Sequence, residues 1–142
     1  MRVVLDTNIL VAGLHSRQGA SHALLGQVLA RRLQIVAAPA LWLEYEDVLK
    51  RPDIQHMHRL SNQEIDFFLD ALSILVEPVS MNYLWRPQLR DPKDEIFLET
   101  ALNAGVDALV TFNQRDFQPA ADNFRLPLLF PAACLARLEK TP

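Results

Sequence analysis

One stretch decides the fold of this chain: residues 91–117 read DPKDEIFLETALNAGVDALVTFNQRDF. In its first half, apolar residues recur three and four positions apart, which predicts an amphipathic helix. The apolar run DALVTF that follows predicts a short buried strand. A helix that leads directly into such a strand is typical of a parallel α/β sheet. The residues on the predicted apolar face are Phe97, Leu98, Ala101 and Leu102.

The predicted helix begins with several charges. We expect Asp91 to be its N-cap and Pro92 its first helical residue. Asp94 lies on the apolar face, whereas Glu95 and Glu99 lie off it, where we expect them to face solvent. Burying an unpaired carboxylate costs several kcal/mol or forces it to take up a proton. Asp94 therefore needs a partner, either the N–H groups and dipole of its own helix or a ligand.

Short strands and helices alternate along the rest of the chain. We predict further strands at RVVL, QIVAA, EPVS and LPLLF. We predict further helices at GASHALLGQVLARR, PALWLEYEDVLKR, SNQEIDFFLDALSILV and PAACLARLEK. Ser61 and Glu64 have the spacing of a capping box, and Pro39 suits a first helical turn. We therefore expect a single domain over residues 1–142, a three-layer α/β/α sandwich with a central parallel sheet of four to five strands.

Composition restricts the class of protein. The chain has 142 residues, of which 50% are hydrophobic and 22% charged, as in one globular domain. A formal net charge of −3 provides no general basic field for nucleic acid, so an anionic ligand needs local basic residues or a cation. Cys134 is the single cysteine, which excludes an internal disulfide. Asp6 and Asn8 interrupt the apolar N-terminus and no run reaches a membrane span, so we expect a cytoplasmic protein.

Acidic and amide side chains converge on one edge of the predicted sheet. Asp6 follows the first strand, Asn113 and Asp116 follow DALVT, and Asp94 starts the helix before that strand. Each residue alone has an ordinary explanation as a cap, a turn residue or a solvated loop residue. Together they would repel one another unless a cation lay among them, and oxygen ligands favour Mg²⁺ or Mn²⁺. The four histidines have no zinc-like spacing.

Three stretches resemble, in order and spacing, the motifs of the PIN-domain family: VVLDTNILVAGL, LWLEYEDVLKRP and the stretch over residues 91–117. The resemblance is to the subgroup of toxins from toxin–antitoxin systems and extends over roughly residues 2–130. It implies a Mg²⁺- or Mn²⁺-dependent endoribonuclease that hydrolyses single-stranded RNA to leave a 5′-phosphate and a 3′-hydroxyl. It also implies a homodimer inhibited by a small antitoxin protein, for which the side chain of Leu43 would suit a contact.

The resemblance assigns roles by position. Asp6 matches the family's first aspartate, Glu44 its helix glutamate and Asp94 its third acid. The last acid falls at Asp116, because Asn113 stands where many family members have aspartate. The aspartates would bind the metal, and Glu44 would complete the shell or accept a proton from water. The pattern alone does not separate Glu44 from Glu46, which borders the same apolar stripe. The implied supporting residues are Asn8, Thr111 and Asn113.

The sequence identifies residues that would contact RNA less specifically than it identifies the acids. Basic residues that would neutralise phosphates are Arg17, Lys93 and Arg115, with Arg31, Arg32 and Arg90 as weaker candidates. Tyr83 or Trp85 would stack on bases or belong to a partner surface.

Three other functions compete with the nuclease. A haloacid dehalogenase-type phosphatase needs an acid where Asn8 stands, and a receiver domain needs a lysine near TFNQRDF. A catalytically silent PIN-like module that binds RNA or protein stays open, because Asn113 brings no charge.

Overall fold

The computed structural model describes residues 1–82 and 88–140 of the chain. Its strands are β1 (Arg2–Leu5), β2 (Gln34–Ala37), β3 (Val76–Pro78), β4 (Ala108–Val110) and β5 (Leu128–Leu129). They form one sheet in the order β3-β2-β1-β4-β5, and every neighbouring pair is parallel. The predicted parallel sheet is confirmed. Because β1 and β4 are central and adjacent, the residues that follow them meet at the carboxyl edge.

Helices connect the strands and cover the sheet. They are α1 (Thr7–His15), α2 (Ala20–Leu29), α3 (Pro39–Leu49), α4 (Pro52–His58), α5 (Asn62–Ser73), α6 (Glu95–Ala104), α7 (Gln114–Phe124) and α8 (Pro131–Glu139). Helix α2 packs against α1 and α8, whereas α6 packs against α3 and α7. The predicted α/β sandwich is confirmed. Among the described helices, none has the length and apolar content needed to cross a membrane.

Local signals in the sequence set several helix ends. The side chain of Ser61 accepts the backbone N–H of Glu64, and the side chain of Glu64 accepts the N–H of Ser61, which confirms the capping box of α5. Pro39 is the first residue of α3, as predicted. Gly105 ends α6 with a φ of 61°, a left-handed conformation that glycine adopts without strain.

Three helices were not predicted. Helix α1 buries consecutive residues, among them Ile9, Leu10 and Val11, so its sequence shows no single apolar stripe. Helix α7 carries Pro119 in its interior, a residue that normally argues against a helix. Helix α4 has only the seven residues that follow Arg51, too few for a clear period.

The start of α6 differs from the prediction. The helix begins at Glu95 with Asp94 as its N-cap, so the expectation that Asp91 caps it is wrong. Residues 91–94 form a turn instead, in which the N–H of Asp94 donates to the carbonyl of Asp91 at 3.0 Å. The Asp91 side chain accepts the N–H of Lys93 at 2.9 Å. Pro92 therefore lies in the turn rather than at the first helical position.

The expectation that Glu95 and Glu99 face solvent is also wrong, because they are 2% and 0% exposed. Helix α6 contacts β1, β2 and β4 on one side. On another side, residues 82, 88 and 89 contact side chains of the helix. The N–H of Asn82 donates to Oδ1 of Asn103 at 3.0 Å, and the N–H of Gln88 donates to Oε1 of Glu95 at 2.7 Å. A helix enclosed in this way buries more than its apolar stripe.

Candidate active site

Asp6 and Thr111 meet at the carboxyl edge of the sheet. Asp6 follows β1 and is 7% exposed, and Thr111 follows β4 and is fully buried. The hydroxyl of Thr111 donates to Oδ2 of Asp6 at 2.6 Å. The same hydroxyl oxygen accepts the backbone N–H of Asn113 at 2.9 Å. Thr111 therefore links the Asp6 carboxylate to the N-cap of α7.

Burial raises the pKa of Asp6, and the Thr111 hydroxyl and nearby backbone N–H groups of Thr7 and Asn8 offset part of this increase. Tyr45 on α3 supports the same strand end, because its hydroxyl donates to the carbonyl of Leu5, the residue before Asp6. Burial and the charge of Asp6 raise the pKa of Tyr45, so this hydroxyl keeps its proton. Asp6 is thus fixed by neighbours on two elements other than its own.

Asp94 shows that the acids share one region. Its pKa is raised to about 6, first by burial and then by the negative charges of Asp6, Asp91, Asp116 and Glu95. Asp94 is half-buried, and its side chain forms no capping hydrogen bond. The backbone N–H groups of its own helix therefore do not satisfy this carboxylate. The charges of Asp6 and Asp116 thus act on Asp94, and Asp116 is exposed in the first turn of α7, whereas a shared site of the three aspartates stays a prediction.

The polar side chains between these acids leave oxygen atoms available. Oδ1 of Asn8 is buried and has no hydrogen-bond partner among the described residues, and neither has Oγ1 of Thr7. Asn113 is half-buried and is the N-cap of α7, but its side chain forms no capping hydrogen bond. A buried acceptor without a donor is unfavourable, so these positions suit water or a ligand.

The donor set suits a hard cation held partly through water. All the donors are carboxylate, amide or hydroxyl oxygens, and a cation would relieve the repulsion that raises the pKa of Asp94. Within residues 1–82 and 88–140, however, no three His, Cys, Asp or Glu side chains are grouped closely enough to hold an ion. The oxygen chemistry of these side chains is the kind that Mg²⁺ or Mn²⁺ prefers, whereas their spacing does not form a complete ion site among the described residues.

Glu44 is half-buried on α3, and it is not among the groups that shift the pKa of Asp94. Its charge acts on Arg51 instead. Glu46 forms an ion pair with Lys50 at 3.1 Å, and Lys50 also pairs with Asp66 on α5 at 2.6 Å. Neither glutamate is among the groups that shift the pKa of Asp6 or Asp94, so the role of Glu44 at the site stays a prediction.

The basic residues predicted to contact RNA lie in different places relative to the acids. Lys93 and Arg115 are exposed and directly precede Asp94 and Asp116, respectively. Arg17 is exposed between α1 and α2. Two weaker candidates precede β2, at the amino edge of the sheet and away from the acids, and a third is exposed in the segment before α6. They are Arg31, Arg32 and Arg90. The proposed stacking residues Tyr83 and Trp85 lie outside the described residues.

Leu43 is 66% exposed on α3, as expected for a residue on its polar side. It borders an apolar cavity of about 460 Å³, whose lining includes Trp42, Val76 and Pro78. The cavity lies between α3 and the edge strand β3. A contact of Leu43 with an antitoxin stays a prediction.

Sequence reasoning missed two residues that shape this site. Tyr45 was counted only as part of an apolar stripe, although a buried tyrosine hydroxyl normally needs a partner. Glu95 was expected in solvent, although it contacts the backbone of the preceding segment. Tyr45 follows Glu44 directly in the sequence, and this position could have pointed to a role at the site. Nothing in the local pattern reveals the contact of Glu95.

The chain matches a known protein family over most of its length. The sequence profile of a family described as PIN domain matches residues 2–115. This range extends from β1 to the start of α7, so it includes Asp6, Glu44, Asp94 and Asn113 and ends one residue before Asp116. No curated protein matches the chain.

Proposed function

The chain belongs to the PIN-domain family, and we propose that it is a divalent-metal-dependent endoribonuclease that hydrolyses phosphodiester bonds in single-stranded RNA. PIN domains are generally nucleases, and the family generally uses divalent metals. The observation that carries the proposal is the position of Asp6 and Asp116 after the adjacent strands β1 and β4, where their charges add to the effect of burial in raising the pKa of Asp94 to about 6. Two acids from distant parts of the chain thus act on a third near the edge where parallel sheets bind ligands.

Asp6, Asp94 and Asp116 would hold the ion. A bound divalent ion supplies a Lewis acid that lowers the pKa of water and neutralises the phosphodiester. Thr111 fixes the orientation of Asp6 through its 2.6 Å hydrogen bond. The amide oxygen of Asn8, buried without a partner among the described residues, orients water beside Asp6.

Residues around the acids would handle the proton and the substrate. Glu44 accepts the proton of the attacking water, or completes the ligand shell. Lys93 and Arg115, exposed beside two of the acids, neutralise the RNA phosphates, and Arg17 extends this contact. The chain has a net charge of −3, so such local cations are needed to attract RNA.

The wider proposal is that this nuclease is the toxin of a toxin–antitoxin pair in the cytoplasm. It would act as a homodimer, and a small antitoxin protein would inhibit it by occupying the acidic groove. The exposed side chain of Leu43, beside an apolar cavity, is the contact we propose for that protein. Light scattering that shows only monomer at high concentration would remove the dimer from the proposal.

The test is cleavage of a mixed pool of single-stranded RNA in Mn²⁺, in Mg²⁺ and in EDTA. We expect products with 5′-phosphates in either ion and none in EDTA. Asp6→Asn and Asp94→Asn should abolish cleavage while the circular dichroism spectrum stays unchanged. Asp70→Asn, on the exposed face of α5, is the matched control and should cleave like the wild type. Cleavage that survives EDTA or Asp6→Asn contradicts the proposal.

A second candidate is a catalytically silent module that binds RNA or a protein. Two observations favour it: Asn113 is neutral, and no three acids among the described residues are grouped tightly enough to hold an ion. Asn113→Asp separates the two functions. In a nuclease the added carboxylate should increase Mn²⁺ affinity and the cleavage rate, whereas a silent module should retain RNA in a gel-shift assay without cutting it in any ion.

A further inference from the structure

Glu95 ties the segment before α6 to the first turn of that helix. Its Oε1 accepts the backbone N–H of Gln88 at 2.7 Å and that of Leu89 at 2.8 Å. Hydrogen bonds to an ionised carboxylate are stronger than those between neutral groups. The side chain of Leu89 also packs against the hydrophobic core. Residues 88 and 89 are therefore held through their backbone amides, and Leu89 is also held through its side chain.

This carboxylate is held out of solvent. Glu95 is 2% exposed, and its Oε2 has no hydrogen-bond partner among the described residues. Desolvating such an oxygen is unfavourable, and the two bonds to Oε1 offset this cost. A glutamine at the same position would present the same acceptor atom without a charge. The acceptor function and the charge of Glu95 can therefore be separated by experiment.

The segment that Glu95 closes carries Asp94. Within it, the N–H of Asp94 donates to the carbonyl of Asp91 at 3.0 Å, and the N–H of Glu95 donates to that of Pro92 at 3.3 Å. Asp94 itself has helical φ and ψ angles of −79° and −21° and no capping bond from its side chain. The position from which the Asp94 side chain projects is therefore set by the backbone of residues 88–95, whose two ends Glu95 links by hydrogen bonds.

We propose that Glu95 is a positioning residue: by binding the amides of Gln88 and Leu89, it holds Asp94 towards Asp6 and Asp116. Glu95 acts through Asp94 and does not contact the ion or the RNA. The consequence for cleavage rests on the proposed nuclease function, whereas the consequence for the conformation of Asp94 does not.

The experiment compares Glu95→Gln, which keeps the acceptor, with Glu95→Met, which fills similar space without one. Mn²⁺ affinity is measured by calorimetry on the full chain, and amide hydrogen exchange is measured by NMR. We expect Glu95→Gln to bind Mn²⁺ within about threefold of the wild type and to keep the Gln88 and Leu89 amides protected. Glu95→Met should bind at least tenfold more weakly, exchange both amides faster, and lower kcat with little change in KM.

Glu64→Ala is the matched control, because Glu64 also lies in the first turn of a helix and accepts a backbone N–H, that of Ser61 at 3.1 Å. It should change neither Mn²⁺ affinity nor cleavage. Should Glu95→Met fail to fold, Glu95→Ala replaces it in the same comparison.

Three outcomes overturn the inference. Wild-type Mn²⁺ affinity in Glu95→Met shows that Asp94 does not depend on Glu95. Equal weakening in Glu95→Gln and Glu95→Met shows that the charge of Glu95 matters rather than its hydrogen bonds. The third outcome concerns the case in which the wild type neither binds Mn²⁺ nor cleaves RNA, a result that overturns the proposed function but not the inference. The inference is then decided by the NMR signals of the Asp94 amide and carboxyl groups, which should move in Glu95→Met and not in Glu95→Gln. Unmoved signals in both variants overturn it.

Discussion

Thr111 donates a 2.6 Å hydrogen bond to Oδ2 of Asp6, although the two residues are 105 positions apart in the sequence. The bond joins the residues that follow β1 and β4 at the carboxyl edge of the sheet. Because Asp6 is only 7% exposed, the hydroxyl replaces water as a partner of its carboxylate. The stability of the sheet edge and the protonation of the candidate site therefore depend on the same contact.

Replacing Thr111 with valine should lower the stability of the sheet edge and change the protonation of Asp6. The variant loses the bond to Asp6 and the acceptor for the N–H of Asn113. We expect the free energy of unfolding in urea to fall by about 1–3 kcal/mol and the pKa of Asp6 to rise further. Thr111→Ser keeps the hydroxyl, so its loss in the free energy of unfolding should be less than half that of the valine variant. Equal stability of the valine variant and the wild type would show that the bond does not hold the edge together.

Tyr45→Phe removes only the hydroxyl that bonds to the carbonyl of Leu5. The ring stays buried, so we expect a loss of about 1–2 kcal/mol in the free energy of unfolding. We also expect RNA cleavage to slow, because Leu5 precedes Asp6 and the strand end is less firmly held. Urea denaturation and initial cleavage rates measure the two effects. A variant that loses stability but cleaves at the wild-type rate would limit Tyr45 to a structural role.

Asp94→Asn should stabilise the protein at neutral pH while abolishing cleavage. The pKa of Asp94 is raised from its usual 3.8 to about 6, so the folded state binds this proton more tightly than the unfolded chain. Its contribution to stability is present below about pH 4 and is lost as the pH rises through about 6. Without added metal at pH 7, the asparagine variant should be more stable by about 1–2 kcal/mol, allowing for solvent screening.

Urea denaturation between pH 4 and pH 7 tests this pH dependence. The advantage of Asp94→Asn over the wild type should grow across that range and level off above pH 6. Asp70→Asn, which is exposed on α5, should follow the wild type at every pH. An advantage that is constant with pH would mean that the carboxylate of Asp94 is not unfavourably ionised in the folded protein.

The sequence predicted the sheet because short apolar strands are local features that alternate with helices. The same rule predicted that Asp6, Asn113 and Asp116 lie at one edge, since the carboxyl ends of parallel strands coincide. It failed for α1, whose consecutive buried residues have no helical period, and for α7, which contains Pro119. In both helices, burial against neighbouring elements outweighs the local signal.

Local sequence patterns are limited in the same way for the candidate site. Asp94 was identified from its place on an apolar face, a local pattern. Glu95 was assigned to solvent, because periodicity along α6 contains no information about residues outside the helix that contact it. The two amides that bind its carboxylate belong to residues 88 and 89, which a helical pattern cannot relate to it. Contacts between an irregular segment and a helix therefore require the three-dimensional structure.

The most direct test of the central claim is a thermal-unfolding titration of the wild type with Mn²⁺ at pH 7, in parallel with Asp6→Asn. If the acids share a divalent ion, the melting temperature of the wild type should rise with Mn²⁺ concentration, as ligand linkage requires. The melting temperature of Asp6→Asn should change much less. A wild-type melting temperature that does not respond to millimolar Mn²⁺, or an equal rise in both proteins, would contradict the account.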